Sequence, residues 1–261
     1  MKKREGALPT ALPGALRLHG VALFAAALAG AALSAACADP EPEIVHRTAA
    51  EQGKVLFADP SISHAQVNPV ACADCHAEHA GDGAAKLPGA PLAGVTKRDS
   101  FWGGQENTLL GAVNHCLYYF MVGDKPWTGE EEEAIYLYAY LESLEEGGDA
   151  TAQPFTIGPV LDPGAGDAKN GAAVYEAACQ LCHGTKSSGA GRLYANAPKL
   201  PDETLASHPS PDYTDADRRL VFVEKTRHGT FLGYGGTMPP LPEEVLSDAE
   251  LADLLTYLGV P

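Results

Sequence analysis

The sequence is poor in positive charge. It has 18 lysines and arginines against 34 aspartates and glutamates, and its formal net charge is −16. A chain with this balance repels the phosphates of nucleic acids and the headgroups of anionic lipids, which argues against nucleic-acid binding. The same charge attracts basic surfaces. We therefore expect protein partners to dock on this chain through a basic surface of their own.

The sequence also lacks a membrane-spanning run near its start. The apolar residues 21–33 fall short of the roughly 20 that a transmembrane helix needs. They follow a basic beginning, Met1-Lys2-Lys3-Arg4. A basic start followed by a short apolar core is typical of a signal peptide. We predict a signal peptide over residues 1–38 and an exported, periplasmic chain. Because the leader carries a net charge of +3, the mature chain has a formal charge of about −19.

The leader has a second reading. Leu33-Ser34-Ala35-Ala36-Cys37 resembles a bacterial lipobox, although Ser34 stands where an aliphatic residue is usual. That resemblance implies a lipoprotein whose Cys37 becomes the lipid-bearing N-terminus. The chain would then touch a membrane only through this anchor. Either reading implies export.

Signatures of several enzyme classes are missing: there is no phosphate-binding loop, no hydrolase triad and no nucleotide-binding fingerprint. Instead, the pattern Cys-x-x-Cys-His occurs twice. This is the attachment signature of c-type haem, in which both thiols bond the porphyrin and the histidine ligates the iron. A redox dithiol needs no histidine after its second cysteine, and a zinc site needs no matching flanks. We predict two covalently bound haem c groups, held by Cys72, Cys75 and His76 and by Cys179, Cys182 and His183.

The chain around these motifs repeats itself once. A short helix containing Gly53 precedes the first motif, and one containing Gly171 precedes the second. A second helix closes each copy, over residues 130–144 and 248–258, with Tyr140 and Tyr257 at matching positions. Ser247 and Glu250 have the spacing of a capping box at the start of the last helix. We see no sheet of any size.

This arrangement resembles class I cytochrome c, a family in which the first and last helices cross at a glycine beside an aromatic residue. The resemblance implies a mostly α fold of two tandem cytochrome c domains, each made of a few helices around a covalent haem. We place the first domain at residues 39–146 and the second at 167–261. The linker, residues 147–166, is rich in glycine, proline and alanine. The expected glycine–aromatic pairs are Gly53 with Tyr140 and Gly171 with Tyr257.

The second iron has a clear distal candidate. Met238, followed by Pro239 and Pro240, comes after the glycine-rich residues 233–236 and before the last helix. Class I cytochromes place their distal methionine in such a loop. The resemblance implies a six-coordinate His183/Met238 iron that passes electrons and has no open position for a substrate.

The first iron has several distal candidates, which lie in the segment 114–123. If this segment is helical, Cys116 and Met121 point roughly 140° apart and cannot both face one iron. Met121 would give an ordinary His/Met iron, with Cys116 as a small buried apolar residue. A histidine such as His115, or an open site, is a further alternative.

Asn114, Cys116 and Gly123 resemble the distal segment of thiosulfate dehydrogenases and of the A subunit of the sulfur-oxidising cytochrome complex. By that resemblance, a thiolate of Cys116 pairs with His76 and lowers the potential. Cys116 is also the one cysteine outside the leader and the haem motifs, and such a leftover cysteine in an exported chain calls for a reason.

Two functions follow from these residues. The first is a periplasmic dihaem cytochrome that carries single electrons between redox partners, with the haems supplying the chemistry. The second is an oxidoreductase of thiosulfate dehydrogenase type with a His76/Cys116 active-site haem. The scarcity of cations in an acidic chain argues against an anionic substrate. We therefore favour the electron carrier.

Overall fold

The computed structural model describes residues 47–158, 160–229 and 236–261. The predicted leader and Cys37 lie outside these residues, as do Gly233 and Gly235 of the glycine-rich loop. Residues 46–261 form one compact unit. The described residues contain no strand longer than an isolated bridge, Phe101 with Glu106, so the expected mostly α fold is confirmed. None of the helices in the described ranges is long and apolar enough to cross a membrane.

The described chain contains eight α-helices, and short 3₁₀ turns connect the early ones. The α-helices are α1 Ala49–Phe57, α2 Leu109–Tyr119, α3 Glu132–Ser143, α4 Ala168–Ala178, α5 Gln180–His183, α6 Asp202–Ala206, α7 Asp215–His228 and α8 Asp248–Leu258. The 3₁₀ turns are Pro60–Ser63, Cys72–Asp74, Val95–Lys97 and Trp102–Gly104.

Two helix pairs, α1 with α3 and α4 with α8, dominate the packing. A Cβ placed on Gly53 would lie 1.9 Å from the backbone oxygen of Tyr136 and 2.6 Å from Cβ of Tyr140. A Cβ on Gly171 would lie 2.0 Å from the backbone oxygen of Asp253 and 2.7 Å from Cβ of Tyr257. Only glycine permits so close an approach of two helix backbones. Both predicted glycine–aromatic pairs are thereby confirmed.

Several of the described helices begin at a side-chain cap. The Ser247 hydroxyl accepts a hydrogen bond from the backbone N–H of Glu250, and the Ser247 N–H donates to the Glu250 carboxylate, so the predicted capping box at α8 is present. Thr48 and Glu51 form the same arrangement at the start of α1. Each capping box satisfies backbone donors that a helix end otherwise leaves exposed.

Each helix pair has its own group of buried side chains. One group includes Phe57, Leu117 and Leu137, and the other includes Tyr175, Phe222 and Leu255. No residue belongs to both groups. The segment between the two groups lies against both. The Phe155 ring packs edge-on against Trp102, with 5.4 Å between the ring centroids, and the Thr156 hydroxyl donates to the Glu244 carboxylate at 2.6 Å.

Candidate functional site

The two Cys-x-x-Cys-His segments share one backbone hydrogen bond, although Cys72–Asp74 is a 3₁₀ turn and Gln180–His183 is α-helical. In each, the histidine N–H donates to the carbonyl of the first cysteine four residues earlier, from His76 to Cys72 and from His183 to Cys179, both at 2.9 Å. The five residues therefore form a single helical turn. One turn is the span that brings two thiols and an imidazole to the same side of the backbone.

The two histidine rings are fixed in the same way. Nδ1 of His76 lies 2.9 Å from the carbonyl oxygen of Ala90, and Nδ1 of His183 lies 2.8 Å from that of Pro198. A carbonyl can only accept, so Nδ1 carries the proton and donates. Nε2 is then the nitrogen available to a metal, as in most metal-ligating histidines. Burial lowers the pKa of both rings and keeps them in the neutral form that coordinates iron.

Gly89 packs directly against the first of these rings. A Cβ at Gly89 would lie 2.3 Å from Cε1 of His76. The backbone N–H of Gly89 also donates to the carbonyl of Cys75 at 2.8 Å. The chain therefore crosses the back of the His76 ring at a position that only glycine fills. The same Cβ would lie 2.4 Å from Nδ1 and 2.6 Å from Nε2, so the Gly89 backbone packs across the ring.

A large apolar cavity lies beside His76. The cavity and its open mouth together contain about 1300 Å³ of empty space. Cys72, Cys75 and His76 line it, together with aliphatic and aromatic side chains such as Leu109 and Trp102. Three parts of the chain form the wall, because linker residues 153–155 and the pair Pro239 and Pro240 also line it. The thiols, the ring and the apolar wall fit a covalently held haem.

The distal candidates for this cavity lie on and just after α2. The helix ends at Tyr119, and the N–H of Met121 donates to the carbonyl of Cys116 at 3.2 Å, so the premise of a continuous helix over 114–123 is wrong. Both Cys116 and Met121 line the cavity, whereas His115 is not among its lining residues. Burial, with Cys72 nearby, raises the pKa of the Cys116 thiol to about 12. A thiolate there would need a cationic partner such as ferric iron.

Asn114 has a structural role that its spacing did not reveal. Its side-chain amide donates to the carbonyl of Trp127 at 2.9 Å and accepts from the N–H of the same residue at 2.7 Å. Trp127 itself is buried. Asn114 thus ties the segment after α2 to the helix that carries Cys116. The same contact joins α2 to residue 127 and so closes the loop that contains Met121.

Among the described residues that line the cavity, Arg98 is the only lysine or arginine. Its guanidinium donates to the carbonyls of Pro91 at 2.7 Å, Ala93 at 3.1 Å and Asp149 at 3.0 Å. The neighbouring lysine, Lys97, instead pairs with Glu145 at the surface, 2.6 Å away. Arg98 is therefore largely engaged by backbone oxygens.

The second site is described in part. Cys179 and His183 are buried, and Met238 is half-buried. Met238 follows α7, and a Cβ at Gly229 would lie 2.2 Å from the Met238 carbonyl oxygen. The structure thus holds the Met238 backbone against the end of α7. The pairing of Met238 with His183 remains a prediction.

A buried arginine, missed in the sequence, anchors the chain that follows Met238. Arg227 is 1% exposed, and its guanidinium donates to the carbonyls of Leu241 and Leu246 and to the carboxylate of Asp248. These bonds attach the segment after Met238 to both α7 and α8. Arg227 lies four residues, about one turn, after the buried Val223, a spacing that places both on the inner face of the helix.

Comparisons with known proteins agree with this picture. The sequence profile of the cytochrome c oxidase, cbb3-type, subunit III family matches residues 166–258, little more than a third of the chain. That range contains the second attachment motif. The match and the motif together support a c-type cytochrome, with haem c bound covalently in this part of the chain.

Among solved structures, the chain is similar to thiosulfate dehydrogenase (TsdBA) from Marichromatium purpuratum in its as-isolated form. The two are 18% identical, the TM-score is 0.40, and the match covers 84% of this chain and 48% of the other. The chain thus matches about half the length of that protein. No curated protein gives a significant match.

Proposed function

We propose that this protein is a periplasmic dihaem c-type cytochrome that carries single electrons between redox partners. The observation that supports it most directly is the repeated proximal site. In each half, one helical turn presents two cysteines and a histidine, and a backbone carbonyl fixes the Nδ1 proton of that histidine. Haem c, when bound, supplies the one-electron chemistry. The chain's part is to retain the cofactor, orient its ligands and exclude water.

The residues around His76 suit such a role. Ala90 and Gly89 hold the imidazole in one orientation, and the cavity wall is mainly apolar. Burial in an apolar site favours the less charged oxidation state of an iron, while a thiolate ligand favours the more charged one. The distal residue therefore decides the potential of the first site. We propose Cys116, with Met121 as the rival ligand.

A thiosulfate dehydrogenase-like activity is the second candidate. It is favoured by one observation, the presence of Cys116 in the wall of the cavity. An anionic substrate would also need positive charge at that site. Arg98 lies there, but its guanidinium already bonds three backbone carbonyls, and the chain as a whole is strongly acidic. Electron carriage accounts for these features without a substrate site.

Haem counting tests the proposal. The protein is expressed with a working haem c maturation system, and the haem content per chain is measured by pyridine haemochrome absorption. We expect two haems in the wild type and one in each of two matched variants, Cys72→Ser/Cys75→Ser and Cys179→Ser/Cys182→Ser. A colourless wild type, or pigment that acid-acetone removes, contradicts covalent attachment.

Low-temperature EPR of the oxidised protein separates the distal ligands. We expect a low-spin thiolate signal beside a His/Met signal, with the thiolate signal lost in Cys116→Ala and kept in Met121→Leu. Two His/Met signals in the wild type would contradict the Cys116 assignment. Steady thiosulfate-dependent reduction of ferricyanide that Cys116→Ala abolishes would favour the enzyme over the carrier.

A further inference from the structure

Lys86, which follows the first attachment motif, bonds to the helices of the second half. Its backbone N–H donates to the carbonyl of Ala177, at the end of α4, at 2.9 Å. Its side-chain Nζ donates to the carbonyl of Val245 at 3.0 Å and pairs with a carboxylate oxygen of Glu250 at 2.9 Å. One lysine therefore binds both helices that frame the second attachment motif.

These bonds are partly shielded from water. The side chains of Lys86 and Glu250 are 30% and 33% exposed, against 56% for Lys97 in its own ion pair. Lys86 also lines a cavity enclosed by the loop after the first motif, linker residues 153–155 and residues 242–245. A charged hydrogen bond in such surroundings is stronger than one at an open surface.

The contact brings the two attachment motifs together. Ala177 lies two residues before Cys179. Lys86 also lies three residues before Gly89, whose N–H donates to the carbonyl of Cys75 at 2.8 Å. The short stretch 86–89 is thus bonded to the first motif at one end and, through Ala177, to the helix that leads into the second motif at the other.

We propose that Lys86 is a positioning residue that holds the two attachment motifs at a fixed separation for electron transfer between the halves. The proposal rests on the dihaem function proposed above. Lys86 touches neither motif directly. It acts through Ala177, Val245 and Glu250, which carry the α4 and α8 ends of the second half. Its removal should loosen the junction without altering either attachment turn.

Two measurements on the haem-loaded chain test this role, with Lys86→Ala as the variant. The amide of residue 86 survives the substitution, so its hydrogen exchange reports opening of the bond to Ala177. We expect exchange to be about tenfold faster, equivalent to about 1.4 kcal/mol. Magnetic coupling between the two oxidised irons, read by EPR, should weaken, while the absorption spectrum of each haem stays that of the wild type.

Two further variants act as controls. Lys97→Ala removes a lysine whose ion pair with Glu145 lies within the first half, and it should leave both readings unchanged. Lys86→Arg keeps the positive charge and should restore most of the magnetic coupling. Unchanged exchange and coupling in Lys86→Ala, in a chain with two haems, overturn the role of Lys86 alone. A wild-type chain without haem overturns both this inference and the proposed function.

Discussion

The crossing glycines show most directly how one residue controls this structure. At Gly53 the carbonyl of Tyr136 occupies the space that any larger residue would need. We expect Gly53→Ala to lower the free energy of unfolding by about 3 kcal/mol, because helix backbones must move apart to admit a Cβ. Chemical denaturation of the haem-loaded protein measures this change.

Gly158→Ala is the matched control, since nothing lies within 4 Å of a Cβ at that position. It should change stability by a few tenths of a kcal/mol at most. Equal stability of the Gly53→Ala and Gly158→Ala proteins would show that α1 and α3 do not meet at this glycine.

The sequence predicted these glycine contacts but missed Arg227. The glycines could be found because the resemblance to class I cytochrome c implies a crossing of a glycine with an aromatic residue, and each copy of the repeat carries a glycine and a tyrosine at matching positions. Arg227 bonds mainly to backbone carbonyls of Leu241 and Leu246. Every residue carries a carbonyl, so no sequence pattern marks which ones will meet a buried guanidinium.

Asn114 supplies a second prediction on a single side chain. Asn114→Ala removes both hydrogen bonds to the Trp127 backbone and leaves an N–H and a carbonyl without partners in a partly buried place. We expect a loss of about 1–3 kcal/mol in stability. Because α2 carries Cys116, the EPR signal of the first haem should also shift, and that of the second should not.

Asn107→Ala is the control for this variant, since Asn107 is exposed in the same half of the chain. It should leave both stability and the EPR spectrum unchanged. A change confined to the second haem in Asn114→Ala would contradict the placement of this residue beside the first cavity.

At the scale of the helices, we expect the stability of the start of α3 to depend on pH. Glu131 accepts hydrogen bonds from the backbone N–H groups of Thr128 and Gly129, each at 2.9 Å. The bond from Thr128 is the main cause that lowers the pKa of Glu131 from 4.5 to about 2. A carboxyl whose pKa is lower in the folded state stabilises the fold above its unfolded pKa. That contribution is lost as pH falls from about 4.5 towards 2.

The Glu131→Gln variant tests this dependence. We expect it to have a lower free energy of unfolding than the wild type at pH 7. The difference between the two proteins should narrow as pH falls below about 4.5, and urea denaturation at a series of pH values measures it. Glu130→Gln removes the same charge from the neighbouring position and should show a smaller gap. A gap between the wild type and Glu131→Gln that is constant with pH would exclude a role for Glu131 ionisation.

Element boundaries were predictable where caps are local and not where tertiary contacts decide them. The last helix was predicted at 248–258 and is observed as Asp248–Leu258, because Ser247 and Glu250 mark its start. The helix predicted at 130–144 is shorter, Glu132–Ser143. The end of α2 was missed because Val122 adopts a φ of 60°, which a β-branched residue rarely does.

The charge of the whole molecule controls its encounters with redox partners. With a net charge of −16, it should attract cations and repel anions. We expect oxidation by a cationic ruthenium hexaammine to slow as ionic strength rises from about 0.01 to 0.15 M, because the Debye length falls from about 30 to 8 Å. Stopped-flow absorption measures these rates.

Oxidation by anionic ferricyanide is the internal comparison. Its rate should rise over the same range of ionic strength, since screening removes a repulsion. A ferricyanide rate that falls with salt would show that a local basic patch, rather than the net charge, governs the approach of this anion.

The wall that Pro239 and Pro240 contribute to the first cavity restricts how such a protein can evolve. A gene segment for the first half, fused to an unrelated domain, would encode a cavity that lacks part of its wall. The two halves must therefore be inherited as a pair.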